Sequence, residues 1–533
     1  MSGDPNAADL TAGGKVIDAG QATAAIADDA DVIVVGSGAG GGVAAEILSQ
    51  AGLRVIVVEE GPLRSSRDFR MREAEAYPQL YQESASRKTR DKAINILQGR
   101  CVGGGTTVNW TSSFRTPQST LEFWRSRLAL QELGVSDLRP WFEKMEQRLG
   151  VGPWAPPPNA NNAVLARGAA KLAIAHASIP RNVRGCADLG YCGMGCPVDA
   201  KQSMLVTCLP AALASGARLY TRLRAERLLL RGDRVEALDC VALDSADRVR
   251  PLKARLRARH FLLAAGGIGS PALLLRSAAP DPQRRLGRRT FLHPTVVCAA
   301  LMPDEVNGYA GAPQTIYSDH FLKTQAIDGP LGFKLEVPPL HPVLFATTLQ
   351  GYGQAHADMM REFTRVHALI ALLRDGFHER SQGGVVGLGV RGSPQLDYPL
   401  DEVFWEGARR ALLAMAEIQF AAGARRVYAV HEDCTGWNSW AEARAGIAAL
   451  DLKPLRTRVV SAHVMGGCGM GASAEHGVVS GQGAHFQLEN LSVCDGSVFP
   501  TSIGANPQLS IFALSARHAT RLAAALGAGP KTA

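Results

Sequence analysis

No stretch of this 533-residue chain reaches the ~18 consecutive apolar residues that a membrane-spanning helix requires, so the sequence predicts no span. No run of five or more basic residues appears despite a net charge of +8. That argues against a nucleic-acid-binding face and leaves a diffuse attraction to an anionic membrane surface or an acidic redox partner. The opening MSGDPNAADLTAGGKVIDAG has neither a basic n-region nor an apolar h-region. The expectation is a cytoplasmic protein, with export beside a partner subunit as the other route. No C-x-x-C-H motif is present, so a cytochrome acting with this chain must be a separate protein. What remains is an ordinary globular composition, 46% hydrophobic and 20% charged, long enough for two packed domains.

The segment DVIVVGSGAGGGVAAEILSQAGLRVIVVEEG, residues 31–61, carries a nucleotide-binding pattern. An apolar run at 32–35 reads as a buried parallel strand, and Gly36, Gly38 and Gly41 form G-x-G-x-x-G at the start of an Ala-rich helix. Gly36 permits the tight turn, Gly38 lets the backbone approach a pyrophosphate, and Gly41 lets helix and strand pack closely. The helix N-terminus offers free N–H groups to phosphate. A second apolar run, 54–58, ends in Glu59, placed to accept from ribose hydroxyls. Two more glycine blocks follow, GRCVGGGTTVNWTSSFRTP at 99–117 and AAGGIGSPALLLRS at 264–277. A nicotinamide-dependent dehydrogenase on the same unit would leave both without a task.

Near the C-terminus, SAHVMGGCGMG places His463 beside glycines that let a flat ring or a substrate approach, and CDGSVFPTSIGANPQ places Asn506 before a proline. Oxidation of an alcohol needs one group to take or hold the hydroxyl proton and another to fix the oxygen. His293, before Pro294 on an apolar run, reads as structural, and Cys468 has no nearby base to activate it.

The order of these blocks from about residue 31 onward resembles the glucose–methanol–choline (GMC) oxidoreductases, which bind FAD. VGGGTTVNW with FRTP is similar to the long-chain alcohol oxidases, and HVMGG with Asn506-Pro507 to those enzymes and cholesterol oxidases. The resemblance implies ADP-side contacts at Gly36, Gly38, Gly41 and Glu59. It implies flavin-side contacts at Gly103, Gly104 and Asn109, and places Asp495 and Gly496 near the ribityl and pyrophosphate. The family has His or Asn at position 506; with Asn here, Asn506 is expected to donate to the substrate oxygen and His463 to accept its proton. The implied reaction is oxidation of an alcohol to an aldehyde or ketone, with hydride passing to flavin N5. A non-catalytic electron-transfer flavoprotein subunit is the reading from another class.

Seven of the ten cysteines are scattered (Cys101, Cys208, Cys240, Cys298, Cys434, Cys468 and Cys494) and read as small packed residues. Cys186, Cys192 and Cys196 instead form C-x5-C-x3-C in a glycine-broken loop. Three thiolates suit a [3Fe–4S] cluster, and the spacing resembles that of GMC-type sugar dehydrogenases that carry one. Reduced packing cysteines and a zinc site are the alternatives, the latter lacking a nearby fourth ligand. A cluster would send electrons singly to a cytochrome or quinone; without one, O2 would be the acceptor and H2O2 a product.

The fold class expected is α/β, a Rossmann-like FAD-binding domain with a discontinuous α+β substrate domain on an antiparallel sheet. Residues 30–115, 205–295 and 455–533 are assigned to FAD binding, 116–204 and 296–454 to the substrate domain, and 1–29 to a surface arm. WAPPPNANNA (154–163) reads as a loop, VHALIALL (366–373) as a buried or lid helix, and 402–422 as a helix. Segments 321–339 and 383–400 read as strands in a sheet roofing the pocket.

Overall fold

The computed structural model describes Leu10, residues 14–349 and residues 351–528. Two eight-stranded sheets organise it, each with its own apolar core. The first sheet is built around Ile26–Val35, whose last four residues are the apolar run before the glycines. It lies between parallel neighbours Val55–Val58 and Val249–Leu263, in the registers Val32↔Val55 and Val32↔His260. Arg218–Thr221 extends the sheet beyond Val55–Val58, and Leu491–Val493 pairs in parallel with the C-terminal end of Val249–Leu263. Antiparallel Arg234–Leu243 and Leu223–Arg231 complete the far edge. Buried throughout, residues 32–35 and Val55–Val58 are continuous Val and Ile.

The expected N-terminal arm is partly sheet. Val16–Asp18 pairs in parallel with Arg218–Thr221 as an edge strand, and residues 26–29 open the central strand; 1–9 and 11–13 lie outside the described residues. An edge strand with one neighbour is held by backbone hydrogen bonds, so its Ala- and Asp-rich surroundings carry no alternating pattern to read.

The second sheet is antiparallel except where Ile94–Ile96 joins Val459–Ser461. At its centre Val366–Leu373 pairs with Thr295–Leu301 and with Phe333–Glu336. This is the apolar octet expected to be a helix. All eight residues are buried, and a run apolar at every position but His367 has no period to separate strand from helix. Leu369, Ala371 and Leu373 pack into the second core. The alternate positions, Val366, Ala368, Ile370 and Leu372, face a cavity between the sheets.

Of the two segments expected in the roof sheet, 321–339 supplies Phe333–Glu336. The other forms a separate two-stranded ribbon, Val385–Leu388 with Pro394–Asp397. Glu402–Ala421 is helical, with the Asp401 side chain accepting from Phe404 N at 2.9 Å. The proline-rich loop gives way to a helix, Ala160–Lys171, whose cap Asn159 accepts from Asn162 N. Helices Gln118–Arg127 and Val135–Leu149 bury Leu121, Trp124, Leu138 and Phe142 in the first core, although the sequence grouped them with the substrate portion.

Several histidines are sealed in these cores. Burial lowers His367 and His518 to about 3 and His260 and His485 to about 4. An unfolded histidine takes up a proton near pH 6.5 that the buried one refuses, so each contributes stability above that pH that is lost as pH falls toward the folded value. For His367 the loss amounts to about 2 kcal/mol at pH 5. His367→Gln should therefore lose less stability than the parent between pH 7 and pH 5, measured by thermal unfolding of the holoenzyme. Parallel pH dependences would contradict this.

Candidate active site

The G-x-G-x-x-G segment turns sharply out of the strand Ile26–Val35. Gly36 sits at φ +102°, and a Cβ there would lie 2.3 Å from Ala264 O. A Cβ at Gly41 would lie 1.9 Å from Gly36 O, so the helix Ala39–Gln50 presses against the turn. Gly38 caps that helix with no side-chain partner, leaving its first amides to the cavity. Gly104, at φ +53°, comes so near that a Cβ would lie 2.8 Å from Gly38 Cα. Gly103 works behind the cavity wall, where its N–H donates to Ser37 Oγ at 3.0 Å.

Ser37 is a residue that the motif hides in an "x" position. Its hydroxyl donates to Glu59 Oε2 at 2.6 Å and its amide at 3.1 Å, while Gly61 N donates to Oε1 at 2.9 Å. Glu59 lines the cavity, and burial raises its pKa against these bonds. Its carboxylate therefore locks the glycine turn to the strand end as well as facing the space a ribose would fill. Asp495 serves the third glycine block: Oδ2 accepts from Gly266 N at 2.8 Å and Ser270 Oγ at 2.6 Å, and Oδ1 from Ser497 N at 2.7 Å. Gly496 lines the cavity beside Val464. Asn109 Nδ2 donates to Gln508 Oε1 at 2.7 Å, joining the second glycine block to the helix Gln508–Ala525.

These groups open onto one cavity of about 2000 Å³. Pockets for one drug-sized ligand hold up to roughly 1000 Å³, so this one has room for a dinucleotide with a substrate beside it. The phosphate-facing helix terminus, the side-chain-free contact at Gly38 and Gly104, and the buried acid at the strand end fit FAD.

His463 and Asn506 both line this cavity. His463 is half-buried, and burial, then Lys334, lowers its pKa to about 4, so it is neutral at pH 7. Its Nδ1 lies 3.2 Å from Nδ1 of His293, and its backbone N donates to Ser461 Oγ at 3.2 Å. Asn506 Nδ2 donates to Glu336 Oε2 at 3.2 Å, and its Oδ1 is buried without a partner. Asn506 thus commits one of its two N–H groups to the protein, and its Oδ1 has no partner among the described residues.

Glu336 and its surroundings were not legible in sequence. Glu336 is fully buried, and burial raises its pKa. It accepts from Gln314 Nε2 at 2.6 Å, with Lys334 Nζ 4.0 Å away. The Lys334 ammonium sits 3.3 Å from the centre of the Phe114 ring and 3.9 Å from that of Tyr317. The two residues alternate on Phe333–Glu336 as a charged interruption of an apolar strand, the one signal that could have found them.

The cysteine loop lies beside the second glycine block. Cys186, Cys192 and Cys196 are half-buried, and among the described residues no group of three or more His, Cys, Asp or Glu side chains is arranged to hold a metal. Backbone carbonyls converge here instead: Lys201 Nζ donates to Cys192 O and Thr107 O at 2.6 Å and to Asn109 O at 2.9 Å. Linear spacing brings thiols near one another along the chain but does not fix which atoms turn inward. The loop braces the second glycine block. Of the scattered cysteines all but half-buried Cys434 are buried, and burial raises the Cys468 thiol.

Gly104→Ala should weaken FAD binding roughly ten- to hundredfold, since a non-glycine left-handed residue and the clash with Gly38 cost about 1–3 kcal/mol. The check is the flavin-to-protein absorbance ratio after gel filtration, with circular dichroism confirming the fold. Full flavin content would refute the cradle.

GMC oxidoreductase family models match residues 77–295 and 388–515, and an FAD binding domain model matches 31–71. A GMC-type oxidoreductase of Mycobacterium tuberculosis is 31% identical over 492 residues, 91% of this chain and 74% of its own length. A long-chain-alcohol oxidase of Arabidopsis thaliana is 30% identical over 507 residues, 90% of this chain, which spans only 65% of that relative. The solved structure of Aspergillus oryzae formate oxidase shares the fold, with a TM-score of 0.69 at 14% identity, covering 94% of this chain and 99% of its own. By these matches the chain belongs to the GMC oxidoreductase family.

Proposed function

We propose that this protein is an FAD-dependent alcohol oxidase acting on apolar, long-chain alcohols. The observation that carries this reading is the lining of the cavity. His463 and Asn506 line it together with the glycine cradle and with an apolar wall of Val366, Ala368, Ile370 and Leu372 with Val297 and Ala299. Helices Pro342–Thr348 and Gln354–Arg361 close that side, with Leu340, Phe345, Met359 and Met360 packed beside the wall. Such a wall suits a hydrocarbon chain and offers a sugar few partners.

In this reading the hydroxyl oxygen docks between His463 and Asn506, and the apolar wall holds the chain so that its carbinol carbon faces the cradle. Bound FAD supplies the hydride acceptor. Dioxygen as the final oxidant is supported by the name of the Arabidopsis relative, a long-chain-alcohol oxidase. Exit through a [3Fe–4S] cluster to a cytochrome or quinone finds no grouped ligands among the described residues to support it.

Three results are expected. Under anaerobic conditions dodecanol should bleach the flavin and glucose should not, with kcat/KM rising up to fourfold per added methylene, about 0.8 kcal/mol each, until the wall is filled. Flavin untouched by any alcohol would refute the reading and favour an electron-transfer subunit. The protein as purified should contain essentially no iron and form H2O2 as it turns over; about three irons per flavin would restore the cluster. His463→Ala should lower turnover roughly 10²- to 10⁴-fold with FAD still bound. Retained turnover would remove His463 from the chemistry.

A further inference from the structure

Beside the cavity two imidazoles meet nitrogen to nitrogen, His293 Nδ1 and His463 Nδ1 at 3.2 Å. At that distance one nitrogen carries the shared hydrogen and the other accepts it. His293 decides which. Its other nitrogen, Nε2, accepts the backbone N–H of Gly504 at 3.0 Å, in a buried setting where no water can replace that bond. A backbone amide only donates, so Nε2 of His293 bears no hydrogen, and the hydrogen of its neutral ring is on Nδ1. His463 Nδ1 is then the acceptor, and the hydrogen of neutral His463 is on Nε2, the nitrogen left for the cavity.

We propose that His293 is a positioning residue that fixes the tautomer of His463, so that His463 meets the substrate oxygen as a hydrogen-bond donor through Nε2–H. This rests on the reading of the cavity as an alcohol site. It reverses the polarity expected from the sequence, in which His463 accepts the hydroxyl proton. For Nε2 of His463 to be an open acceptor, its hydrogen would have to sit on Nδ1. His293 would then need two unprotonated nitrogens, or would have to give up Gly504 N–H. A hydroxyl fits the fixed arrangement, accepting from His463 Nε2–H and donating to the unpartnered Oδ1 of Asn506.

The surroundings hold His293 for this task. It is buried and sits at φ +45° immediately before a proline, a conformation that a non-glycine residue adopts only under constraint. The constraint is the carboxylate of Asp375, which accepts from Leu292 N at 2.9 Å and His293 N at 3.2 Å and is itself held by Tyr398 OH at 2.6 Å. Ser461 Oγ donates to Leu292 O at 2.6 Å while accepting from His463 N, tying the two histidine backbones together. Lys334 and Arg374 are the cations bearing on the pair, and with burial they keep both rings neutral. Asp375 is spent on two backbone amides and on Tyr398 OH, and leaves the ring hydrogens to the Gly504–His293–His463 chain.

Neutron diffraction from deuterated crystals of the FAD-loaded enzyme near neutral pH reads the tautomer directly and needs no turnover. Deuterium on His293 Nδ1 and His463 Nε2 is expected, and deuterium on His463 Nδ1 would overturn the proposal. The kinetic counterpart is His293→Ala in the holoenzyme. Without the donor, His463 Nδ1 becomes free to take a proton. The loss should appear as a kcat/KM about tenfold lower with flavin content unchanged, and His293→Gln, whose amide can accept from Gly504 N–H and donate to His463, should recover most of it. Equal losses in both variants would mark a merely structural His293 and would also overturn the proposal. Failure of every alcohol to bleach the flavin would instead fall on the proposed function, with the neutron result still decisive for the tautomer.

Discussion

Two glycines 66 positions apart, Gly38 and Gly104, touch through bare backbone, with no room for a Cβ at Gly104. The cavity depends on that contact. It brings the first helix N-terminus, with its unsatisfied amides, against the segment that carries Asn109 and leads through Gln508 to the C-terminal helix. A side chain at Gly104 would push the loops apart and separate the phosphate-facing amides from the segment that carries Asn109. The contact is stabilised from behind, by Ser37 bridging Gly103 and Glu59 and by Lys201 collecting three carbonyls. Both devices satisfy buried polar atoms that would otherwise oppose so tight an approach.

Desolvation sets the electrostatic character of the site. The same burial lowers His463 and His293, raises Glu336 and lowers Lys334. A neutral imidazole pair can share one hydrogen at 3.2 Å, whereas a charged pair would repel. Hydrogen-bond direction therefore passes inward from a backbone amide, Gly504, through His293 to His463. On the other side it is set by the Glu336 carboxylate, which orients the Asn506 amide. The groups at the cavity surface have their polarity decided by groups that never touch it.

The cysteine loop shows how little a linear spacing says about which atoms turn inward. C-x5-C-x3-C has the chemistry of a cluster ligand set, yet the cation Lys201 draws the carbonyl of Cys192 inward, and Arg181 Nη2 lies 3.8 Å from the Cys192 sulfur. What Lys201 contributes to the fold is a brace between the segment at 107–109 and the cysteine loop at Cys192. The octet at 366–373 is a parallel case, since hydrophobicity broken only at His367 reports complete burial and says nothing of the period.

By itself the sequence determined the dinucleotide unit and the α/β class, and it picked out His463 and Asn506, which both line the cavity. These depend on local rules: glycines where φ is positive or Cβ has no space, an acid at a strand end, and apolar runs of strand length. Only the tertiary structure decided the roles of His293, Ser37, Glu336 and Lys334, the strand at the cavity wall, and the direction of each hydrogen bond at the site. His293 and His463 are 170 residues apart, and Asn506 and Glu336 are separated by the same number. Which nitrogen carries a hydrogen depends on the partner across such a gap, and a sequence pattern holds no record of partners that are adjacent only in space.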